Sequence, residues 1–403
     1  MSEWKECKLL ELADKFAMGP FGSNIKADNF VNAGVPVIRG TNLNYHRFVD
    51  GEFVFLTEEK ANELKTSNCF PGDIVFTHRG TIGQVGLIPN NKYPRYVISQ
   101  SGMKVTVNSK LLDNIFLFYF FKSEKGQYEL LQHESQVGVP SISNPLTSLK
   151  SVSVPLPPLP EQRAIASVLS SLDDKIDLLN RQNKTLEAMA EALFRQWFVE
   201  PCKDGLPEGW REGNIDSLAS VKSGTTPSTS NPDYWGGEIY WTSPRDITNL
   251  NGIFLFDTER KITELGLKQI GSGLLPSGSL LMSSRAPVGV LAFTEIPVAI
   301  NQGYAGIICD KGFSREFLYL WLKTNMDYVQ SHANGSTFQE ISKSSFKSLL
   351  VQIADDKYMI NFDSLISPLF LKLKKNSIQI HTLEKLRDTL LPKLMSGEVR
   401  VSV

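Results

Sequence analysis

Between residues 165 and 197 the apolar side chains fall into a four-three rhythm. They are Ile165, Leu169, Leu172, Ile176, Leu179, Leu186, Ala190, Leu193 and Trp197, with Asn183 the one polar member. A second run carries Phe362, Ile366, Leu369, Leu373, Ile380, Leu383, Leu390 and Leu394, broken by Asn376 and Arg387. A period of 3.5 sustained this long makes the narrow seam of a coiled coil rather than the broad stripe of a surface helix. Pro160 stands in the first turn of the first helix and Pro201 stops it, while Gly397 caps the second. From 162 to 199 the first helix spans about 57 Å. Two seams in one chain pair most economically with each other.

In an antiparallel pair the partner positions have a constant sum. Setting Asn183 against Asn376 makes that sum 559, so Ile165 meets Leu394, Leu186 meets Leu373 and Trp197 meets Phe362. A slip of one heptad would leave each amide facing an apolar side chain, at about 1–3 kcal/mol. Leu172 falls opposite Arg387, whose stem is expected along the seam with its head in water. Pro392 is expected to bend the end of the second helix and spoil the Leu394 layer.

Outside the seams the pattern changes. Short β-rich runs such as Val35–Ile38, Ile74–Phe76 and Leu280–Met282 alternate with Gly, Pro, Asn and Ser, and Phe116–Phe121 and Phe317–Leu322 read as buried helices. These segments also repeat. Trp4, Leu12, Gly72, Arg79 and Gly83 recur as Trp210, Leu218, Gly278, Arg285 and Gly289 at an offset of 206. Gln100 recurs as Gln302 at 202, and Lys150-Ser151 as Lys347-Ser348 at 197. An offset that only shrinks marks a second copy with short deletions. The expected fold is therefore α+β. Two loop-rich globular domains, 1–157 and 201–354, are joined and spaced by two long antiparallel coiled-coil helices, 158–200 and 355–403, as a pseudo-twofold internal repeat. Pro155–Pro160 reads as a stiff polyproline approach to the first helix; the second copy has Ile353-Ala354-Asp355-Asp356-Lys357 there.

Composition narrows the function. With 42 basic against 43 acidic residues and a net charge of −1, the chain cannot hold nucleic acid by bulk charge, so any such contact uses a local patch. The longest apolar run, Ile115–Phe121, is closed by Lys122 and is too short to span a bilayer. Met1-Ser2-Glu3-Trp4-Lys5 is not a signal peptide, and the expectation is a cytoplasmic protein without membrane contact. Cys7, Cys69, Cys202 and Cys309 lie scattered and read as reduced thiols. The histidines at 46, 78, 133, 332 and 381 lack metal spacing, so no metal site is expected. No nucleotide loop or nuclease carboxylate set is present, and Asn231-Pro232-Asp233-Tyr234, a near miss for an aminomethyltransferase loop, reads as a turn. The expectation is a binder rather than an enzyme.

Candidate binding residues cluster in loops after strands. The first copy offers Lys26, Arg39, Thr41, Asn42, His78, Arg79, Thr81, Gln84, Ser99 and Gln100. The second offers Lys222, Thr225, Thr226, Thr242, Ser243, Arg245, Ser284, Arg285, Asn301 and Gln302. Guanidinium forks match guanine, carboxamides match adenine, and hydroxyls beside glycines suit phosphates. Each also has a structural reading, as an ion-pair partner or a turn closer.

The run Pro155-Leu156-Pro157-Pro158-Leu159-Pro160-Glu161-Gln162-Arg163-Ala164-Ile165-Ala166, with Leu172-Asp173-Asp174-Lys175-Ile176-Asp177 after it, resembles the specificity subunits of Type I restriction–modification systems. Gly19-Pro20-Phe21-Gly22-Ser23, Leu206-Pro207-Glu208-Gly209-Trp210 and Leu390–Glu398 are similar to further motifs of that family. The resemblance covers essentially the whole chain. It implies two target recognition domains, each reading half of a bipartite site in double-stranded DNA, and helices that space them. It implies two modification subunits docked on the helices, which hold S-adenosylmethionine and methylate adenine. Two restriction subunits join where the system has them. The chain itself is then non-catalytic and carries no cofactor. A coiled-coil adaptor with two protein-binding heads is the alternative from another class. A methyltransferase in its own right is a third reading, and it lacks a cofactor loop.

Overall fold

A computed structural model describes residues 4–43, 47–135, 138–285, 287–335 and 339–401; His46 lies outside them. The chain forms two compact units, Met1–Asp177 with His381–Val403, and Leu178–Ile380.

In each unit the first strand pairs with the strand that precedes a long helix. Lys5–Lys8 pairs antiparallel with Ser153–Leu156, Cys7 opposite Val154. Arg211–Asn214 pairs in the same way with Leu350–Ile353, Gly213 opposite Val351. The expected polyproline approach is therefore in part an edge strand: Pro155 sits opposite Glu6, where its missing N–H costs no ladder bond.

The main sheets repeat as well. The first unit orders Ala13–Met18, Gly102–Val107, Ile74–Thr77 and Val85–Leu87 side by side. The second orders Ser220–Lys222, Tyr304–Ile308, Leu280–Ser283, Leu291–Thr294 and Phe254–Leu255. A smaller sheet in each has one parallel pairing, Val37 beside Val97 in the first unit and Trp241 beside Ala299 in the second. The helices Asn114–Lys122 and Arg315–Thr324 lie against the main sheets, with Phe116–Phe121 and Phe317–Leu322 buried as their unbroken apolar runs require.

The first long helix runs Leu159–Phe194 and ends through a π turn, Arg195–Val199, and a 3₁₀ turn, Glu200–Cys202, that contains Pro201. The second runs Asp356–Ser396. Where the first copy uses prolines, the second uses a cap: Asp355 Oδ1 accepts the Tyr358 amide at 3.0 Å. Gly397, at φ 72°, takes the left-handed conformation that ends the helix.

The helices pair antiparallel within each unit, in the register that the two asparagines specify. In the second unit Asn376 Nδ2 donates to Asn183 Oδ1 at 2.9 Å, and the residues are only 1% and 8% exposed. Trp197 and Phe362 lie 5.9 Å apart by ring centroids. In the first unit Ile165, Leu169 and Leu394 are buried in one core. Two expectations need correction. Arg387 does not leave its head in water, because Nη1 donates to Asp173 Oδ1 at 3.0 Å. Pro392 does not spoil the last layer, since the helix continues to Ser396 and Leu394 is 2% exposed. Phe194 and Phe198, not counted in the seam, leave it to pack on the second unit's core, with Phe198 4.8 Å from Phe362 and 5.0 Å from Phe317.

Candidate nucleic-acid interface

The candidate loops leave the ends of equivalent strands, and their backbone bonds repeat one for one. His78 N donates to Ser101 O at 2.8 Å, and Ser284 N to Gly303 O at 2.8 Å. Ile142 N reaches His78 O at 2.9 Å, and Ile341 N reaches Ser284 O at 3.0 Å. Gly83 N meets Thr77 O at 3.3 Å, and Gly289 N meets Ser283 O at 2.9 Å. Close approach explains another shared glycine: a Cβ on Gly19 would lie 1.8 Å from Ser99 O, and one on Gly224 1.6 Å from Ile300 O. Buried backbone groups must be satisfied, so this frame is strongly constrained.

In the first unit the loops converge on a cleft of about 300 Å³ lined by Arg39, Thr41, Arg79, Thr81 and Gln84, with Gly40 and Thr77 behind them. Arg39, Thr41, Arg79 and Thr81 are exposed at its rim, and among the described residues neither guanidinium has an ion-pair partner. Among the described residues no carboxylate lines the cleft. Lys26 is exposed at the start of the turn Ala27–Asn29.

Other candidates make hydrogen bonds within the frame. Asn42 is buried: its Oδ1 accepts Arg39 N at 2.9 Å and its Nδ2 donates to the carbonyls of Asp50 and Glu52, each at 3.0 Å. His78 is buried with Nε2 3.2 Å from Gln100 O, and burial pushes its pKa below the usual imidazole value. Gln100 Nε2 donates to the carbonyls of Gly22 and Ile25, pinning the Gly19–Ser23 loop. Ser99 Oγ lies 3.2 Å from Ser101 Oγ.

In the second unit Thr242 is buried with its hydroxyl 3.1 Å from the Tyr304 hydroxyl, and Ser284 is buried at its strand end. Ser243 N donates to Asp246 Oδ2 at 2.8 Å, and Asn301 Oδ1 accepts Gly303 N at 2.8 Å. Thr226 Oγ1 donates to Gln302 Oε1 at 2.7 Å, and Thr225 Oγ1 to Gln269 O at 3.1 Å. Arg285 Nε donates to Glu340 Oε1 at 2.9 Å. Arg245 lies 3.9 Å from Glu259 and stays largely exposed, as does Lys222.

Two exposed groups escaped the sequence reading. Arg260 stacks its guanidinium 3.4 Å from the Trp235 ring centroid, which holds the fork in one plane at the surface. Alternation of Trp235 and Trp241 on one strand beside a basic pair, Arg260-Lys261, was the available signal. Phe21, 74% exposed, stands on the loop that Gln100 pins.

Each domain is fastened to the helices of its own unit. Tyr119 donates to Asp173 at 2.6 Å beside Arg387, and Arg47 Nη1 reaches Ser170 O at 3.3 Å. In the second unit Lys323 meets Glu191 at 2.7 Å, and the buried Glu295 carboxylate receives Arg315 at 3.3 Å and Lys374.

Asn231 Oδ1 accepts Asp233 N at 3.0 Å and opens a 3₁₀ turn, so the near-miss motif is a turn. Among the described residues no three His, Cys, Asp or Glu side chains gather where they could hold a metal, and no helix is long and apolar enough to cross a membrane.

A family model described as "Type I restriction modification DNA specificity domain" matches residues 1–188 and 207–358, one match per copy. The chain is 26% identical to the Type I restriction enzyme HindI specificity subunit of Haemophilus influenzae, over 99% of this chain and 100% of that one. It is 35% identical to the MjaIX specificity subunit of Methanocaldococcus jannaschii over 40% of this chain and 38% of that one. Its fold is similar to the crystal structure of the S subunit of a Type I restriction–modification system from M. genitalium, with a TM-score of 0.62 at 17% identity, covering 97% of this chain and 96% of that one.

Proposed function

The chain belongs to the Type I restriction–modification DNA specificity family, and from that premise we propose that each of its two domains reads one half of a bipartite DNA site. As a member it is a non-catalytic specificity subunit that recognises DNA sequence within a larger assembly. One observation carries the bipartite reading. The same strand-end frame occurs twice, and each copy carries an exposed arginine at the equivalent position, Arg79 beside the cleft and Arg285 paired at the surface with Glu340. Phosphate contacts and base contacts then divide between the modification subunits and these loops, because a net charge of −1 leaves the chain without a strong field of its own.

The long helices supply docking and spacing. Their outward faces expose Leu178, Met189, Ile360, Leu365, Leu371 and Ile378, apolar surface suited to two modification subunits. S-adenosylmethionine and adenine methylation belong to those subunits, restriction subunits join where the system has them, and the assembly works in the cytoplasm on duplex DNA.

Methylation-aware genome sequencing of a host carrying this chain and its modification partner tests the reading. Arg79→Ala is expected to relax or abolish one half-site and Arg285→Ala the other, each by about 1–3 kcal/mol of discrimination. If both variants altered the same half-site, the one-domain-one-half reading would fall.

A further inference from the structure

We infer that the cleft of the first domain takes the acceptor edge of a guanine in the major groove, with Arg39 and Arg79 as its readers; this rests on the DNA-reading role proposed above. The two guanidiniums come from loops that follow different strands, Val35–Ile38 and Ile74–Thr77, and line one cleft of about 300 Å³. Neither is neutralised by a carboxylate among the described residues, and none lines the cleft. A guanidinium only donates, so two forks call for a ligand rich in acceptors. On the major-groove edge of DNA, guanine presents two adjacent acceptors, N7 and O6.

A phosphate offers acceptors too, and the backbone argues against it. Sites that cradle phosphate use a run of free amides beside glycines. Here most amides of the 80–84 turn, and that of Arg39, are already engaged. Gly80 N donates to Pro140 O at 2.9 Å, Ile82 N to Gly80 O at 3.0 Å and Gly83 N to Thr77 O at 3.3 Å. Gln84 N donates to Thr77 Oγ1 at 3.1 Å, and Arg39 N to Asn42 Oδ1 at 2.9 Å. The side chains that the cleft presents are two planar forks, with Thr41 and Thr81 exposed at the rim. That set matches a base edge. The second domain lacks this arrangement at the same place, because Arg285 is matched to Glu340.

The test uses the complex of this chain with its modification subunits and a duplex carrying its site, with 7-deazaguanine, which lacks the N7 acceptor, replacing each guanine of the first half-site in turn. One replacement is expected to weaken binding roughly 5- to 150-fold. Arg79→Ala is expected to lose a similar factor on the normal duplex and to be indifferent to that replacement. Arg79→Lys, which keeps the charge and loses the fork, is expected to behave like Arg79→Ala. A first half-site with no sensitive guanine would overturn the inference. So would a phosphate pattern, in which Arg39→Ala and Arg79→Ala weaken all sequences alike, flatten the salt dependence, and Arg79→Lys restores binding. If instead the unaltered complex showed no preference for its first half-site over a scrambled one, the DNA-reading role itself would fall.

Discussion

At the end of Leu280–Ser283 the guanidinium of Arg285 is held by Glu340, whereas the equivalent Arg79, at the end of Ile74–Thr77, faces an open cleft beside Arg39. Beneath them the backbone is the same. His78 and Ser284 make matching bonds to Ser101 and Gly303, and Ile142 and Ile341 return to them in matching fashion. The two copies thus share a frame and differ in what the frame presents. Buried N–H and C=O groups tolerate few alternatives, while an exposed side chain at a loop tip can change at little cost in stability. One repeated scaffold can therefore present two different sets of side chains.

The largest effect is expected from a change that leaves both sets of loops intact. One heptad inserted in each long helix adds about 10 Å, or roughly three base pairs. Methylation mapping should then show the parent site abandoned and a site with a longer spacer and the same two halves adopted. An unchanged spacer in an active variant would break the view that the helices space the two readings.

The fastening of the domains differs as well. Glu295→Ala leaves Arg315 and Lys374 without their shared carboxylate and should cost the second unit about 2–4 kcal/mol, less than a fully buried pair because both cations keep some water contact. A thermal melt followed by hydrogen exchange should localise that loss to the second unit. Equal loss of protection in both units would remove the distinction. Asn376→Leu strips Asn183 of its buried partner and should cost about 1–3 kcal/mol. The double replacement Asn183→Leu with Asn376→Leu should regain stability by chemical denaturation while losing a fixed register by cross-linking.

The smallest effect concerns pH. Burial holds His78 below its unfolded value of 6.5, so the unfolded chain takes up the proton first as pH falls. The first unit should lose stability below about pH 6.5 through this group, and His78→Ser, which copies Ser284, should remove that part of the slope in melts run from pH 7.5 to 5.5.

Periodicity alone carried the long helices, their antiparallel pairing and even the opposition of Asn183 to Asn376, because a coiled-coil seam is a local repeat in which one buried amide pair has one good register. The duplication was equally plain, since Gly72, Gly83 and their counterparts all hold positive φ and recur at one offset. Which loop residues are available to a ligand was not legible. Asn42, Gln100, Thr242 and Asn301 have the chemistry of readers, yet the fold binds each of them to its own backbone or side chains. Gln100 is engaged by carbonyls 75 and 78 residues away, and Arg285 by a carboxylate 55 residues away. A side chain's type is written in the chain, but its freedom depends on acceptors that only tertiary structure brings within 3 Å of it.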